Sequence, residues 1–300
     1  MEVWRMERLL VGYIYMLVKF KLLYLLGVGV NILTMNIIKY LGVNGILSVV
    51  EIIFLRTLVA TCVLLPFNLK ELKTVPKQNS KTLLCLLGLG ILASVDAYMW
   101  NIGIQTVPLN NAMILLFISP VITAIMSTII LREKMTINIT LKFGINIIAV
   151  LLVYHFSLGG FTIGYLYLMS DFIVYGLIAI LIKKLNTFSA NFLVFIRFLF
   201  LLPISALLLK HIPIINAQVV VFILFIVFGY ITQRTLITLA FKNIPIVEIQ
   251  PLRYVNIVFS SLFSYMILGE KLTIYQIVCS IMIVFGGILV DRIIRYLQHR

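Results

Sequence analysis

Acid is scarce in this chain. Ten Asp and Glu stand against 24 Lys and Arg, and charged residues of all kinds make up 11% of the sequence. A soluble domain keeps about 25% charged and roughly 45–50% apolar residues, because its surface needs polar covering. Here 62% of the residues are hydrophobic and mean hydropathy is +1.15, which excludes a water-soluble fold. Cysteine is also rare: Cys62, Cys85 and Cys279 lie inside apolar runs without CxxC spacing, so no disulfide framework is implied. His155, His211 and His299 are far apart, and no metal set can be assembled from them. No GxxxxGK[ST] phosphate loop, HExxH or GxSxG occurs, which argues against direct ATP-driven work and against hydrolase chemistry. No connection is long enough to hold a soluble catalytic domain, so the chain reads as a non-enzyme that needs no cofactor.

What remains is a series of apolar runs. A hydrocarbon core about 30 Å thick needs about 20 such residues per helix. Breaks at charge, Pro, Gly or Asn divide the chain into ten spans, near 22–41, 46–67, 82–100, 109–131, 137–155, 161–182, 190–209, 217–240, 245–268 and 273–291. The fold class expected is an all-α integral membrane protein. Leu9–Val18, flanked by Arg5, Arg8, Lys19 and Lys21, is too short to span and reads as an interfacial segment; a start at Met16 would account for it equally well.

The net charge of +14 does not imply nucleic acid, because the basic residues sit in short gaps rather than along one groove. They are topology signals. With the N-terminus inside, cytoplasmic segments hold sixteen: Arg5, Arg8, Lys19, Lys21, Lys70, Lys73, Lys77, Lys81, Arg132, Lys134, Lys183, Lys184, Lys242, Arg292, Arg295 and Arg300. Lys39, Lys210 and Lys271 fall outside. Both termini are expected in the cytoplasm.

One charged knot is spelled twice. Residues 130–137 read ILREKMTI and residues 267–274 read ILGEKLTI, six of eight positions identical at an offset of 137. The same alignment pairs Pro108 with Pro245 and Glu133 with Glu270. At the nearby offset of 141, FLR at 54–56 matches FIR at 195–197 and pairs Arg56 with Arg197. The chain therefore reads as two five-helix repeats, 22–155 and 161–291, after an N-terminal segment 1–21 and before a basic tail 292–300. Five is odd, so the second repeat enters the membrane from the opposite side. Inverted repeats are a transporter signature, because two such halves can rock about a midplane site.

The paired units PLNNAMILLFISPVITAIMSTIILREKMT and PIVEIQPLRYVNIVFSSLFSYMILGEKLT, with Arg56 and Arg197, resemble the EamA branch of the drug/metabolite transporter superfamily. QPLRYVNIVFSSLFSYMILGE is similar to a subgroup that includes S-adenosylmethionine uptake transporters of obligate intracellular bacteria, and the Ile-, Lys- and Asn-rich composition suits an AT-rich genome. The resemblance implies transport of a small organic metabolite, with S-adenosylmethionine uptake by exchange as its finer form and amino-acid or drug export as the alternative. A polytopic scaffold or a lipid enzyme is the reading from a different class. Partners expected are the small-molecule substrate and the bilayer, without nucleic acid; a homodimer is compatible with the architecture.

Charge at a bilayer centre costs about 2.5–3.5 kcal/mol on insertion scales, so mid-span charges face a wet cavity or a partner. Glu51, Arg56, Asp96, Asp171, Arg197, Arg234, Glu248 and Arg253 are the candidates. In the ninth span Gln250, Arg253, Asn256, Ser260 and Ser264 fall within about 120° at the α-helical repeat. That face is a cavity wall in which Arg253 binds a carboxylate, or else an interhelical hydrogen-bond seam. Tyr254 either stacks on a substrate ring or packs. Asp96 with Trp100, and Tyr167, Asp171 and Tyr175, share helical faces where a carboxylate beside aromatics suits a cationic ring-bearing ligand. The same acids could instead pair with Arg56 or Arg197, and Asp96 could carry a proton. Asn111, Ser119, Thr123 and Ser127 line an arc of the fourth span. Pro120 and Pro251 read as helix bends, by the loss of one ladder bond each. Arg56 and Arg197 are expected in structural pairs, and Glu133 and Glu270 as acceptors for the N-terminus of the helix that follows each. Gly88-x-Gly90-x-x-Ala93 mimics a dinucleotide fingerprint, but no strand precedes it, and close helix contact explains it better.

Overall fold

Apolar solvent forces backbone groups to bond within their own helix, and the described part of the computed structural model is built almost wholly of helices. The structure describes residues 2–43, 45–106, 118–153, 163–209, 211, 213, 215–256 and eleven scattered positions from 258 to 290. Within them lie nine α-helices: α1 (Glu2–Val43), α2 (Val49–Leu72), α3 (Ser80–Thr106), α4 (Ser119–Leu131), α5 (Ile137–Val153), α6 (Ile163–Lys184), α7 (Ala190–Leu208), α8 (Ala217–Asn243) and α9 (Ile246–Ile249). A 3₁₀ turn, Val75–Lys77, precedes α3, and a 3₁₀ stretch, Gln250–Val255, continues α9. Six of the helices hold stretches long and apolar enough to cross a membrane. The tenth expected span, 273–291, falls mostly outside the described residues.

Helix α1 corrects the reading of its first residues. Leu9–Val18 is no separate segment but the first part of one 42-residue helix. At about 1.5 Å per residue this helix is about 63 Å long, twice a hydrocarbon core. No proline precedes Pro66 to stop it, and its membrane-crossing stretch is Tyr15–Ile38.

Caps start the second and third helices of each half, and they repeat at the offsets of the sequence repeat. Ser48 accepts from the Glu51 amide at 3.3 Å, and Ser189 from the Phe192 amide at 3.1 Å, 141 residues on. Asn79 accepts from the Thr82 amide and Asn216 from the Val219 amide, both at 2.8 Å and 137 residues apart. Ser48 and Glu51 complete a capping box, which accounts for Glu51 without a binding role.

Packing is reciprocal between the halves. Helix α1 lies on α8 as α3 lies on α6; α2 lies on α7; α3 touches α7 as α2 touches α8; α4 lies on α6 as the 3₁₀ stretch lies on α1. Phe192, Leu193, Val194 and Phe195 of α7 are fully buried where these contacts converge. Leu207, Phe67 and Phe228 are among the large apolar side chains left exposed, as a lipid-facing belt requires. Polar side chains in the spans bond back to their own helices, as Thr61 to Thr57 O, Asn68 to Leu64 O and Ser94 to Gly90 O.

A chain of polar contacts marks one rim of the bundle. Lys21 meets Glu248 at 3.3 Å, and Glu133 accepts from the Val247 amide at 3.0 Å and lies 4.0 Å from Lys183. Lys183 donates to Ile244 O, Lys242 to Phe188 O, and the Ser189 amide to Glu71. At this rim α2 and α4 end while α7 and α9 begin, and α6 ends on the side from which the spanning part of α1 starts. Corresponding helices of the two halves therefore run in opposite directions.

Glu133 differs from expectation. The helix that follows it, α5, takes a 3.5 Å contact from Thr136 Oγ1 to the Ile139 amide, and Glu133 reaches instead across the molecule to the start of α9. Arg132, one residue earlier, closes α4 in the left-handed region at φ 56°. The repeat places Gly269 at the equivalent position, the residue that takes this conformation without steric cost.

Close approach explains the glycine pattern in α3. A Cβ on Gly90 would overlap the Phe200 ring of α7, whereas one on Gly144 of α5 would meet nothing within 4 Å. Gly90→Val should destabilise the detergent-solubilised protein by about 1–3 kcal/mol, as overpacking does, with Gly144→Ala neutral to within about 1 kcal/mol; a thermal-shift assay compares them. Arg132→Gly should raise the same midpoint, by relief of about 1 kcal/mol of left-handed strain.

Candidate functional site

Mid-helix charges from both halves meet inside the bundle. Asp96 of α3 and Arg234 of α8 form an ion pair at 3.6 Å. Asp171 of α6 faces Asp96, Arg253 and Arg234. Arg197 of α7 is buried beside Arg234, Asp96 and Tyr175. Arg253 donates to Ser119 Oγ at 2.8 Å and stacks its guanidinium 4.0 Å from the centre of the Tyr175 ring. Tyr24 of α1 lies beside Tyr175. The result is one connected cluster of guanidinium, carboxylate and phenol drawn from α1, α3, α4, α6, α7, α8 and the 3₁₀ stretch.

Local chain geometry aims these groups. Ile246–Ile249 is α-helical, and the ladder tightens to 3₁₀ at Gln250, next to Pro251, which has no amide hydrogen to give. In a 3₁₀ helix residues three apart eclipse, so Gln250, Arg253 and Asn256 align more closely than the expected α-helical face would bring them. Asn146 of α5 donates to Pro251 O at 3.2 Å and steadies this break. Pro120 is not mid-helix. It lies in the first turn of α4, whose first residue is Ser119, where a missing amide costs nothing.

Arg56 is 5% exposed and sits 3.9 Å over the Tyr230 ring. Its expected pairing with an acid is replaced by a cation–π contact, while the acid on α3 goes to Arg234. Tyr230 and Arg234 are one turn apart on α8, so this helix presents a ring to one half's arginine and a guanidinium to the same half's acid. Gln250 is fully buried, and neither of its amide atoms has a partner among the described residues. The same holds there for Thr123 Oγ1, Gln233 Nε2, Asp171 Oδ1 and Arg56 Nε. Unpaired polar atoms of this kind are rare in protein interiors.

Three more of the expected members are an indole, a phenol and an amide. Trp100 packs on the small apolar cluster of Tyr165, Leu168 and Phe172. Tyr254 is fully buried, edge-on to Phe143 with centroids 6.4 Å apart. Asn256 is half-buried at the end of the 3₁₀ stretch. Asn111, Ser260, Ser264 and Glu270 lie outside the described residues. Arg234 and Tyr230 were the residues whose place sequence reasoning did not find. A partial signal existed: α3 and α8 correspond at offset 137, which sets Gln233 against Asp96 and Arg234 one residue on. No group of three or more metal-binding side chains occurs among the described residues.

Comparison with known proteins follows the same lines. No curated protein matches the chain significantly. A protein of solved crystal structure superposes with a TM-score of 0.73 over 93% of this chain and 97% of its own, at 14% identity, a likeness of fold alone. The family described as the EamA-like transporter family matches twice, at residues 20–155 and 162–291. Two matches that together cover most of the sequence, on a multi-pass helical bundle with its polar groups drawn inward, establish that this chain belongs to the EamA-like transporter family.

Proposed function

We propose that the protein is a secondary transporter that moves a small organic metabolite by alternating access between two inverted halves. The observation that carries this reading is the central cluster. Arg234 keeps 25% of its side chain accessible while it holds a nearly buried carboxylate halfway along an apolar helix. A guanidinium so placed belongs to a water-filled cleft rather than to the lipid face. The opposite run of corresponding helices supports the inverted arrangement. Lys21, Lys183 and Lys242 at one rim support a cytoplasmic side there, by the excess of basic residues in cytoplasmic loops, and with it cytoplasmic termini in a bacterial inner membrane.

Arg253 is the anchor for a substrate carboxylate. Its planar fork has five donors, of which one serves Ser119. Tyr175 fixes the plane of that fork and offers its ring edge to a purine or an aromatic side chain. Asp96 and Asp171 receive cationic groups. S-adenosylmethionine uptake by exchange with its demethylated product is the finer assignment that the resemblance brings. Its carboxylate would meet Arg253, and its ammonium and sulfonium the two acids. Amino-acid or drug export by the same machinery is the second reading, favoured by the same guanidinium–carboxylate spacing, which any α-amino acid would satisfy.

Two outcomes test the proposal. Arg253→Ala is expected to lower uptake of radiolabelled S-adenosylmethionine, or of whichever amino acid the cells accumulate, by at least 100-fold with membrane levels unchanged, since a lost bidentate charge-assisted contact is worth about 3 kcal/mol. Wild-type uptake in that variant would remove Arg253 from the site. A bismaleimide link between Lys21→Cys and Glu248→Cys, with the native cysteines replaced, is expected to arrest transport by holding the rim shut. Undiminished flux through the linked protein would exclude opening at this face.

A further inference from the structure

The acids of this chain can be accounted for one by one, and the count leaves its centre positive. Glu51 is held in the capping box with Ser48. Glu71 accepts from the Ser189 amide, Glu133 from the Val247 amide, and Glu248 meets Lys21. Glu2 and Glu7 precede the apolar stretch Tyr15–Ile38 of α1. Glu270 stands in the sequence between the two last apolar spans, and Asp291 at the end of the last. Of the eight acidic residues among those described, Asp96 and Asp171 are the two that lie at mid-helix. Four guanidiniums share that level of the bundle: Arg56, Arg197, Arg234 and Arg253.

Two acids cannot neutralise four arginines, and the two face each other. Asp96 is taken by Arg234. Asp171 is shared between Arg253 and Arg234, Arg253 adding a hydroxyl and a ring, and Arg56 has a ring in place of a carboxylate. A low-dielectric interior with uncompensated cations draws in anions, and guanidinium groups select planar or tetrahedral oxyanions by paired N–H donors. We infer that the species bound at this site carries net negative charge, as a phosphate monoester or a dicarboxylate does, and that the loaded site approaches neutrality through it.

This rests on the transport reading in its coarser form and departs from the S-adenosylmethionine assignment. S-adenosylmethionine, with two cationic groups and one carboxylate, would raise the excess at the centre instead of cancelling it. The side chains that set the preference are Arg56 and Arg197, the pair at offset 141. Both are nearly buried, and among the described residues neither forms an ion pair with a carboxylate.

Purified full-length protein in proteoliposomes decides the matter. Counterflow of labelled AMP, malate, adenosine and S-adenosylmethionine compares two anions of unlike shape with a neutral and a cationic relative of the first. At least one anion is expected to move tenfold or more faster than adenosine and S-adenosylmethionine. Arg56→Gln and Arg197→Gln should each shift the ratio of anion to S-adenosylmethionine flux by about tenfold towards the cation, a change of selectivity that a loss of folding would not produce. Rapid S-adenosylmethionine counterflow with both anions inert overturns the inference and leaves transport standing. Wild-type selectivity in both variants likewise overturns the role of the excess charge. No movement of any of the four probes counts against the transport reading itself, and against the inference with it.

Discussion

The contact between Asp96 and Arg234 ties the third helix of one half to the third helix of the other, inside two apolar helices where charge is expensive. Insertion costs of about 2.5–3.5 kcal/mol per charged residue put four mid-helix arginines at roughly 10–14 kcal/mol. That is comparable with the whole stability of an ordinary domain, about 5–15 kcal/mol. A single ion pair and two ring contacts recover only part of such a sum, since a cation–π contact contributes about 0.5–2 kcal/mol. Packing would be better served by leucine at every one of these positions. On the proposed function the arginines are groups kept for a solute, and the fold is a frame able to hold them near water.

That frame is tied loosely where it would have to open. The rim pairs are partly exposed, Lys21 and Glu248 at 33% and 27% of their side chains, and exposed pairs contribute about 0–1 kcal/mol each. Glu133 does more, because its bond to the Val247 amide satisfies a helix N-terminus that has no side-chain cap of its own. Several small increments hold the rim, none of them large enough to lock it. The interior seam differs: Phe192, Leu193, Val194 and Phe195 are fully buried on α7, and such packing yields as blocks and not residue by residue. Rocking of one half on the other suits a molecule built in this way.

Much of this was legible in the sequence. The knot at 130–137 and 267–274 revealed the duplication, and the FLR and FIR triplets located Arg56 and Arg197 in helices that do pack together. Arg253 was picked out by its neighbours Gln250 and Asn256, although the chain there is 3₁₀ rather than α. What could not be read was pairing across the halves. Asp96 looked for an arginine on the second helix of either half and found one on α8, because side-chain reach in a bundle depends on helix placement and not on periodicity. Glu133 looked local and proved long-range for the same reason. Pro120 looked like a bend because hydropathy runs on through it, whereas α4 begins only at Ser119. Leu9–Val18 looked separate because bilayer thickness was taken as a limit on helix length, and a helix with nothing to stop it continues past the hydrocarbon.

The two halves are alike in backbone and unlike in chemistry. Offset 137 sets Tyr230, the ring beneath Arg56, against Ala93, and Asp96 against Gln233. At the positions equivalent to Tyr230 and Asp96 the repeat therefore offers Arg197 no ring, and a glutamine in place of an acid with Arg234 one residue past it. If one half were to adopt the arrangement of the other, as alternating access requires, Arg56 would lose its cation–π partner and Arg197 would gain none in exchange. Reversal of the fold thus leaves the central charges in a different state on the two sides of the membrane. On the proposed mechanism, a solute held by those charges would meet two sites of unequal affinity, one for each direction of opening. The asymmetry is written in side chains that the repeat has not kept, and it cannot be removed by any motion of the backbone.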